Sequence, residues 1–419
     1  MNIRDLLHDR PCSCGKTHTC AIRDVFIEEN ALKHLPELVK PFSHILLAAD
    51  QNTYAVCGER VKTFLGDKLE NVQVFTGDGF LVPNEEAIAA LQTKLTGDTD
   101  LIVGIGSGVM QDLCKYVSHE AKLPYMIVAS APSMDGYASV GAAMITGNMK
   151  VTYNAHVPLA IVGDVDILKD APMDMIRSGY GDILGKYSCL NDWKLAKVVN
   201  GEYFCEYVYD LTYEMLMKTK DLGPKLLARD PEAVKTLMEA LIGVGIAMAY
   251  VGNSRPASGS EHHLSHYFEV IGIMKKEPYF MHGTDVAYAC VVTEKLREKL
   301  LCVENPVQKT AFDEKKWEER IRTVYADAAE GVIALQKKVG RYEEDLISVY
   351  REKWQEIKEV LREVPDEKTL VGYLHSVGLD MADFEKTYGF EKIDNAVWFA
   401  KDLKDRYSVL WLYYCLFYA

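Results

Sequence analysis

Between residues 44 and 165 the chain alternates short β-rich apolar runs with amphipathic stretches, and past about residue 172 that alternation stops. The apolar runs fall at 44–50, 72–75, 101–104, 125–130 and 160–163. Parallel strands need crossovers of a dozen or more residues, so runs spaced in this way read as a parallel sheet covered by helices. Beyond residue 172 helix-period patterns take over, as at 354–362. The expected architecture is an N-terminal α/β domain with a parallel sheet over residues 1–170, followed by an all-α C-terminal domain over 171–419. The boundary is placed near 168–172, where Asp164, Asp166, Asp170 and Pro172 follow the last strand-like run. Residues 1–20 are set apart as a Cys- and His-bearing extension.

With 419 residues, 48% of them hydrophobic, the chain can bury a large core in more than one domain. A formal net charge of −14 opposes binding to nucleic acid or to anionic membrane surfaces, which reward basic patches, and so favours a small-molecule partner. No apolar run approaches the roughly 18–20 residues that span a bilayer, and the N-terminus lacks a signal peptide's apolar segment. A cytoplasmic location, no membrane insertion and reduced thiols for the ten cysteines are the corresponding expectations. The apolar tail at 409–418 reads as a buried terminal helix, and the charged stretch at 315–351 as solvated helix faces, since no heptad persists there.

Two groups of residues carry chemistry. The first is Leu101-Ile102-Val103-Gly104-Ile105-Gly106-Ser107-Gly108-Val109-Met110-Gln111-Asp112, an apolar strand entering a glycine-rich turn and a helix. Such a turn brings backbone N–H groups to a pyrophosphate at a helix N-terminus. Val109 occupies the third glycine's place, so a standard dinucleotide fingerprint is absent. Asp50 follows another strand and suits either a ribose hydroxyl or a surface turn. Ser130-Ala131-Pro132-Ser133-Met134-Asp135-Gly136-Tyr137-Ala138-Ser139 supplies hydroxyls and a carboxylate at a strand's carboxyl end, where ligands of open α/β sheets bind.

The second group is histidine-rich. His262, His263, His266 and His282 stand within twenty-one residues. On a helix His262 and His266 share one face, with Cβ atoms roughly 5–6 Å apart. Asp182, between glycines in Gly179-Tyr180-Gly181-Asp182-Ile183-Leu184-Gly185-Lys186, adds a carboxylate that serves equally as a helix cap. One carboxylate with two imidazoles suits a divalent cation that keeps open positions. A separate cluster, Cys12-x-Cys14-Gly15-x-x-His18-x-Cys20, has zinc-knuckle composition, although its Cys-x-Cys spacing is tight and no second pair adjoins it.

Gly106-Ser107-Gly108 with Asp112, the segments 131–139 and 181–186, Arg255-Pro256-Ala257-Ser258-Gly259-Ser260-Glu261-His262 and His282-Gly283 together resemble the sn-glycerol-1-phosphate dehydrogenases. The likeness is to the AraM-like bacterial branch, in the superfamily of iron-dependent alcohol dehydrogenases, glycerol dehydrogenase and dehydroquinate synthase. It implies a dehydroquinate-synthase-like fold with NAD(P)H, one zinc or nickel ion per subunit, and reversible reduction of dihydroxyacetone phosphate, a phosphorylated triose, at a metal-polarised carbonyl. The setting it implies is phospholipid metabolism. By motif, Asp182, His262 and His282 are the implied metal ligands, while Asp135, Asp182 and His266 are the implied catalytic and substrate contacts, with His263 in neither role. The implied cofactor residues are Asp50, Gly106, Gly108, Val109, Met110, Gln111, Asp112, Ser130, Ala131, Pro132, Ser133 and Ser139. Archaeal members carry threonine at the place of Ser130 and Ala-Ala at that of Ala131-Pro132, a departure that touches cofactor positioning only.

For the substrate phosphate, Arg255 and Lys186 are the candidate cations. A homodimer is the expected assembly. Competing readings are glycerol dehydrogenase or another polyol dehydrogenase of the superfamily, a dehydroquinate-synthase-like cyclase, and a nucleotide-binding regulator without catalysis.

Overall fold

A computed structural model of the chain describes residues 3–77, 79, 81–147 and 149–418. The backbone forms two compact units, Met1–Ile183 with Met217–Ser254, and Leu184–Leu216 with Arg255–Ala419.

In the first unit six strands make one parallel sheet: β1 (Asp24–Glu28), β2 (Ile45–Asp50), β3 (Leu69–Phe75), β4 (Leu101–Gly106), β5 (Tyr125–Ala129) and β6 (Ala160–Asp164). Their spatial order is β1-β6-β5-β4-β2-β3. The central strands are apolar on both faces because both faces are covered. Ile45, Leu47, Val103, Ile105, Met126 and Val162 enter one core. Leu46, Ala48, Ile102 and Tyr125 enter the other, with Met110, Leu113 and Val117 of a covering helix. All five expected strands are present, with ends shifted by a few residues. Three β features lie outside the sequence reading: the edge strand β1, an antiparallel hairpin pairing Gly141–Thr146 with Met149–Asn154, and a two-residue hairpin pairing Arg10–Pro11 with Thr17–His18. The chain runs from β2 to one edge and from β4 toward the other, so the order reverses between them. The carboxyl ends at that switch point are Asp50 and Gly106.

Where the sequence reading draws one boundary near 168–172, the units interleave. The helices that position the site residues are α1 (Gln51–Leu65), α2 (Gly108–Ala121), α3 (Met173–Leu184), α4 (Lys186–Asn200), α5 (Pro231–Val251), α6 (Ser260–Lys275) and α7 (His282–Leu301). The return of α5 to the first unit depends on close contact: a Cβ on Gly245 would stand 2.8 Å from the Asp135 carbonyl oxygen and 2.8 Å from the Ala138 Cβ. By length and composition α5 could cross a membrane, at a mean hydropathy of 1.6, which corrects the expectation of no such segment. Glu232, Lys235 and Glu239 interrupt its apolar run. Of its apolar window 78% is buried, as in the core helix of a globular protein.

The second unit is helical around a polar spine. Asp192 on α4 is fully buried; it meets Arg297 of α7 at 3.3 Å, the Ser260 amide at 2.6 Å and the Val409 amide at 2.8 Å. Burial pushes its carboxyl up and the Arg297 guanidinium pulls it down, and burial prevails. The tail forms the helix Val409–Phe417, which buries Leu410, Trp411 and Leu412. The charged stretch divides into Glu314–Tyr325, Ala329–Val339 and Leu346–Leu361, with surface pairs such as Arg322–Glu318 at 3.0 Å and no continuous heptad.

Candidate cofactor cleft and metal centre

At the switch point of the first unit lies a cleft of about 760 Å³ lined by Asp50, Thr53, Phe75, Ser107, Ser130 and Met175, among others. Asp50 caps α1 and also lines the cleft. Its Oδ1 accepts the amides of Asn52 at 2.8 Å and Thr53 at 2.9 Å, while the Thr53 hydroxyl accepts the Asp50 amide at 3.1 Å. This capping box starts α1 and keeps the carboxylate at the cleft wall. The Thr53 hydroxyl also reaches the Ile105 carbonyl oxygen at 3.0 Å, tying β2's end to β4's.

The glycine turn is shaped by contact distance. A Cβ on Gly106 would lie 2.4 Å from the Met110 Cβ, so strand and helix meet this tightly only with glycine there. No side chain caps α2 at Ser107, and no intrahelical acceptor exists for the amides of Gly108, Val109 and Met110. Val109 is half-buried, so the third glycine of the common fingerprint is not required here.

The remaining expected cofactor residues are engaged within the unit. Met110 packs in the core, and the buried Gln111 amide donates to the Tyr137 carbonyl at 2.7 Å and the Tyr125 hydroxyl at 3.0 Å. Asp112 pairs at 3.2 Å with the buried Lys115, whose ammonium also reaches Ser139 Oγ at 3.3 Å and the Gly141 carbonyl at 2.7 Å. Burial lowers the Lys115 pKa against the pull of Asp112. Ala131 accepts from the Tyr137 hydroxyl at 2.7 Å, and the Ser133 carbonyl from Ser178 at 3.0 Å. The Pro132 carbonyl would stand 1.9 Å from a Cβ on Gly179, so α3 passes this loop with no room for a side chain. Asp135 is buried, and its amide donates to Asp182 Oδ2 at 2.9 Å.

In the second unit α6 is clamped by its start. A Cβ on Gly259 would meet the Cys189 Cα at 2.7 Å, and Ser260 Oγ lies 3.1 Å from Ser188 Oγ. From there His262 and His266 share a face, with ring centroids 6.2 Å apart. His282, the first residue of α7, brings its ring to 5.0 Å from His262 and 5.4 Å from His266. Three of the four clustered histidines therefore converge, and their immediate partners are residues the sequence reading passed over. Glu261 Oε1 lies 2.7 Å from His262 Nδ1 and accepts the Gly259 amide at 3.0 Å. Burial would raise the Glu261 carboxyl, but the His262 imidazole and the Gly259 amide outweigh it and hold it low. Ser265 Oγ is 3.3 Å from His282 Nδ1, and Glu269 is 3.9 Å from His266 Nδ1. Glu269 was visible in principle, one turn after His266; the role of Glu261 depends on rotamers that spacing does not specify.

These residues fit a divalent cation. A carboxylate only accepts, so the proton of His262 sits on Nδ1 and Nε2 offers its lone pair. His262 and His282 present ligand nitrogens within 4.8 Å of one another, and so do His266, Glu269 and His282 with their donor atoms. His263 is set apart: fully buried, it is kept neutral first by burial and then by Arg406, Lys404 and Arg255. Neither expected phosphate cation is exposed. Arg255 is committed to both Glu202 oxygens, at 2.7 and 2.9 Å, and to the Tyr407 carbonyl at 2.7 Å, which corrects its assignment to phosphate. Lys186 is buried and donates to the Ala257 carbonyl at 3.0 Å.

Comparison with known proteins agrees with this picture. Residues 26–172 match the family of iron-containing alcohol dehydrogenases. The glycerol-1-phosphate dehydrogenase (NAD(P)+) of Halalkalibacterium halodurans is 35% identical over 292 residues, covering 68% of this chain and 73% of its own. The enzyme of the same name from Bacillus velezensis is 30% identical over 400 residues, 93% of this chain and 90% of its own. Among solved structures, glycerol dehydrogenase from Schizosaccharomyces pombe superposes with a TM-score of 0.56 at 16% identity, covering 88% of this chain and 95% of that one. An alcohol dehydrogenase from Oenococcus oeni reaches 0.60 at 14% identity, covering 93% and 94%. At such identities these two structures speak for the fold alone.

Proposed function

This chain belongs to the glycerol-1-phosphate dehydrogenase family, among the iron-containing alcohol dehydrogenases, and from that premise we propose that it reduces dihydroxyacetone phosphate to sn-glycerol 1-phosphate with NAD(P)H at a divalent cation. The observation that carries the reading is the convergence of His262, His266 and His282, with Glu261 orienting His262. A carboxylate on the far nitrogen of an imidazole is the arrangement that orients metal-bound histidines.

Asp182, His262 and His282 would hold the cation, zinc or nickel. Asp182 has no exposed surface, and a buried carboxylate is costly unless cations or several donors compensate it. When bound, the cation supplies Lewis-acid polarisation of a carbonyl oxygen and the nicotinamide supplies hydride. The protein's own share is orientation and proton handling. Glu261 fixes the tautomer of His262, and the Asp135 amide fixes one oxygen of Asp182. His266, less buried than His262, holds the proton exchanged with the substrate hydroxyl, steadied by Glu269. Asp50 Oδ2 receives a ribose hydroxyl of the cofactor, since Oδ1 is spent on the cap. The amides that open α2 receive phosphate oxygens. A homodimer in the cytoplasm, with reduced cysteines, completes the proposal.

NADH and NADPH oxidation are assayed with dihydroxyacetone phosphate and with dihydroxyacetone, with enantiomer-resolved product and metal analysis on the same sample. Turnover on the phosphate ester giving the sn-1 product supports the assignment. Turnover on dihydroxyacetone alone would replace it with a polyol dehydrogenase.

A further inference from the structure

The hairpin that precedes the sheet carries a second set of donors, unlike the first in containing sulfur. Its strands are two residues each, Arg10–Pro11 and Thr17–His18, with Arg10 opposite His18. Between them the Gly15 amide donates to the Cys12 carbonyl at 3.1 Å and the Cys12 amide to the Lys16 carbonyl at 3.0 Å. Gly15 takes φ +86°, the left-handed region that such a turn requires. A two-rung ladder is far too short to persist by itself, so something besides the ladder holds this loop.

Cys12 and Cys14 are half-buried and His18 is fully buried. The sulfurs of Cys12 and Cys14 and a ring nitrogen of His18 lie within 4.8 Å of one another. Cys14 Sγ is 3.6 Å from His18 Nε2. Zinc–sulfur bonds of about 2.3 Å and zinc–nitrogen bonds of about 2.0–2.1 Å, at the tetrahedral angle, set two such donors ~3.6 Å apart. On its other side His18 Nδ1 lies 3.2 Å from the Tyr250 carbonyl oxygen, with the two rings stacked at 5.2 Å. A carbonyl only accepts, so the proton sits on Nδ1 and the Nε2 lone pair turns to the thiols, as for histidines that ligate metals. The Tyr250 hydroxyl in turn donates to the Leu6 carbonyl at 2.6 Å, so the same residue anchors the segment ahead of the hairpin.

We propose that Cys12, Cys14 and His18 bind a structural zinc ion that staples the N-terminal hairpin to α5, a site separate from the cation of the dehydrogenase reaction. Cys20, the fourth member of the sequence cluster, is buried and stands outside this donor group. The remaining position of a tetrahedral shell falls to another thiolate or to water.

The whole chain is substituted with cobalt in place of its metals. Cobalt bound by thiolate gives an intense near-ultraviolet charge-transfer band, and Asp182, His262 and His282 contain no sulfur, so the band reports this site alone. The band is expected in the wild type and in His262→Ala, and is expected to vanish in Cys12→Ser/Cys14→Ser. Metal analysis of zinc-loaded protein should give about two equivalents in the wild type and about one in the double variant, with turnover per remaining ion within about twofold. A wild-type cobalt protein without the band overturns the proposal whether or not the enzyme is active. If the double variant fails to fold, titrating the zinc-loaded wild type with an organomercurial decides the matter: release of one of the two zinc equivalents as thiols react supports the site, and retention of both after every thiol has reacted overturns it.

Discussion

The cofactor cleft and the histidine cluster are built by opposite means. In the sheet unit the proposed cofactor contacts draw mainly on backbone: the amides that open α2, a glycine whose absent Cβ lets strand and helix meet, and a loop in which Ser139 bonds inward. In the helical unit it is side chain: three imidazoles, with Glu261, Ser265 and Glu269 as their immediate partners. The difference decides what a substitution can disturb. Changing a side chain in the cleft acts mainly through packing, whereas changing one in the cluster acts directly on donor chemistry.

The largest expected effect follows from removing a donor. His262→Ala and His282→Ala should each lose the catalytic cation and with it several kcal/mol of carbonyl polarisation, about 10³-fold or more in kcat/KM. Thermal unfolding and metal content are read on the same samples. Full activity in either variant after exhaustive chelation would place the chemistry elsewhere and dissolve the contrast between the two regions. One bond further out, Glu261→Gln keeps shape and burial but lets the amide donate toward Nδ1, which no longer favours the Nε2 lone pair. Outer partners of metal-bound histidines typically account for about 10–100-fold in metal affinity, and a loss of that size in a competition titration is expected. An unchanged affinity would make Glu261 a cap for α6 and nothing more.

How much of this could be read beforehand follows the same division. Donor chemistry is written in residue types, so His262, His266 and His282 stood out, as did the Cys12, Cys14 and His18 cluster. Parallel strands buried on both faces are continuous apolar runs, and all four central ones were legible, as was the edge strand β3; the other edge strand, β1, is half-exposed, and its alternation over five residues is a weak signal. The return of α5 to the sheet unit was not legible, because what attaches it there is the lack of a Cβ at Gly245 against a backbone carbonyl. Nor was the fate of Arg255 legible: composition marks a cation but not that Glu202 and Tyr407 have already claimed it.

In the cleft the one side chain with a proposed direct role is Asp50, and it can be tested apart from its structural one. Asparagine caps helices about as well as aspartate, so Asp50→Asn should leave the melting temperature nearly unchanged. It removes a charged acceptor, and a hydrogen bond to such a group contributes about 1.5–3 kcal/mol. The KM for NAD(P)H should therefore rise about tenfold or more with kcat little altered. A drop in stability with unchanged KM would leave Asp50 as a cap alone and make the cleft wholly a backbone site.

The smallest effect concerns what each unit buries. Both units bury charge, Lys115, Asp164 and Asp182 in the sheet unit and Asp192, Glu261, Glu294 and Arg297 in the helical one. Glu294 on α7 is 3% exposed; burial pushes its carboxyl up to about 8, with Glu298 and Asp366 adding to the rise and Arg297 opposing it. A carboxyl whose folded pKa exceeds its unfolded value binds its proton more tightly when folded. Its contribution to stability is fully present below about 4.5 and is lost as pH rises through about 8. Urea midpoints of the wild type should decline across that window. Glutamine mimics the protonated acid and cannot ionise, so Glu294→Gln should match the wild type near the acid end and exceed it increasingly toward the alkaline end. Parallel midpoint curves for the two proteins would mean that Glu294 ionises in the folded state as readily as in the unfolded one, with the helical unit's interior solvating charge far better than its burial implies.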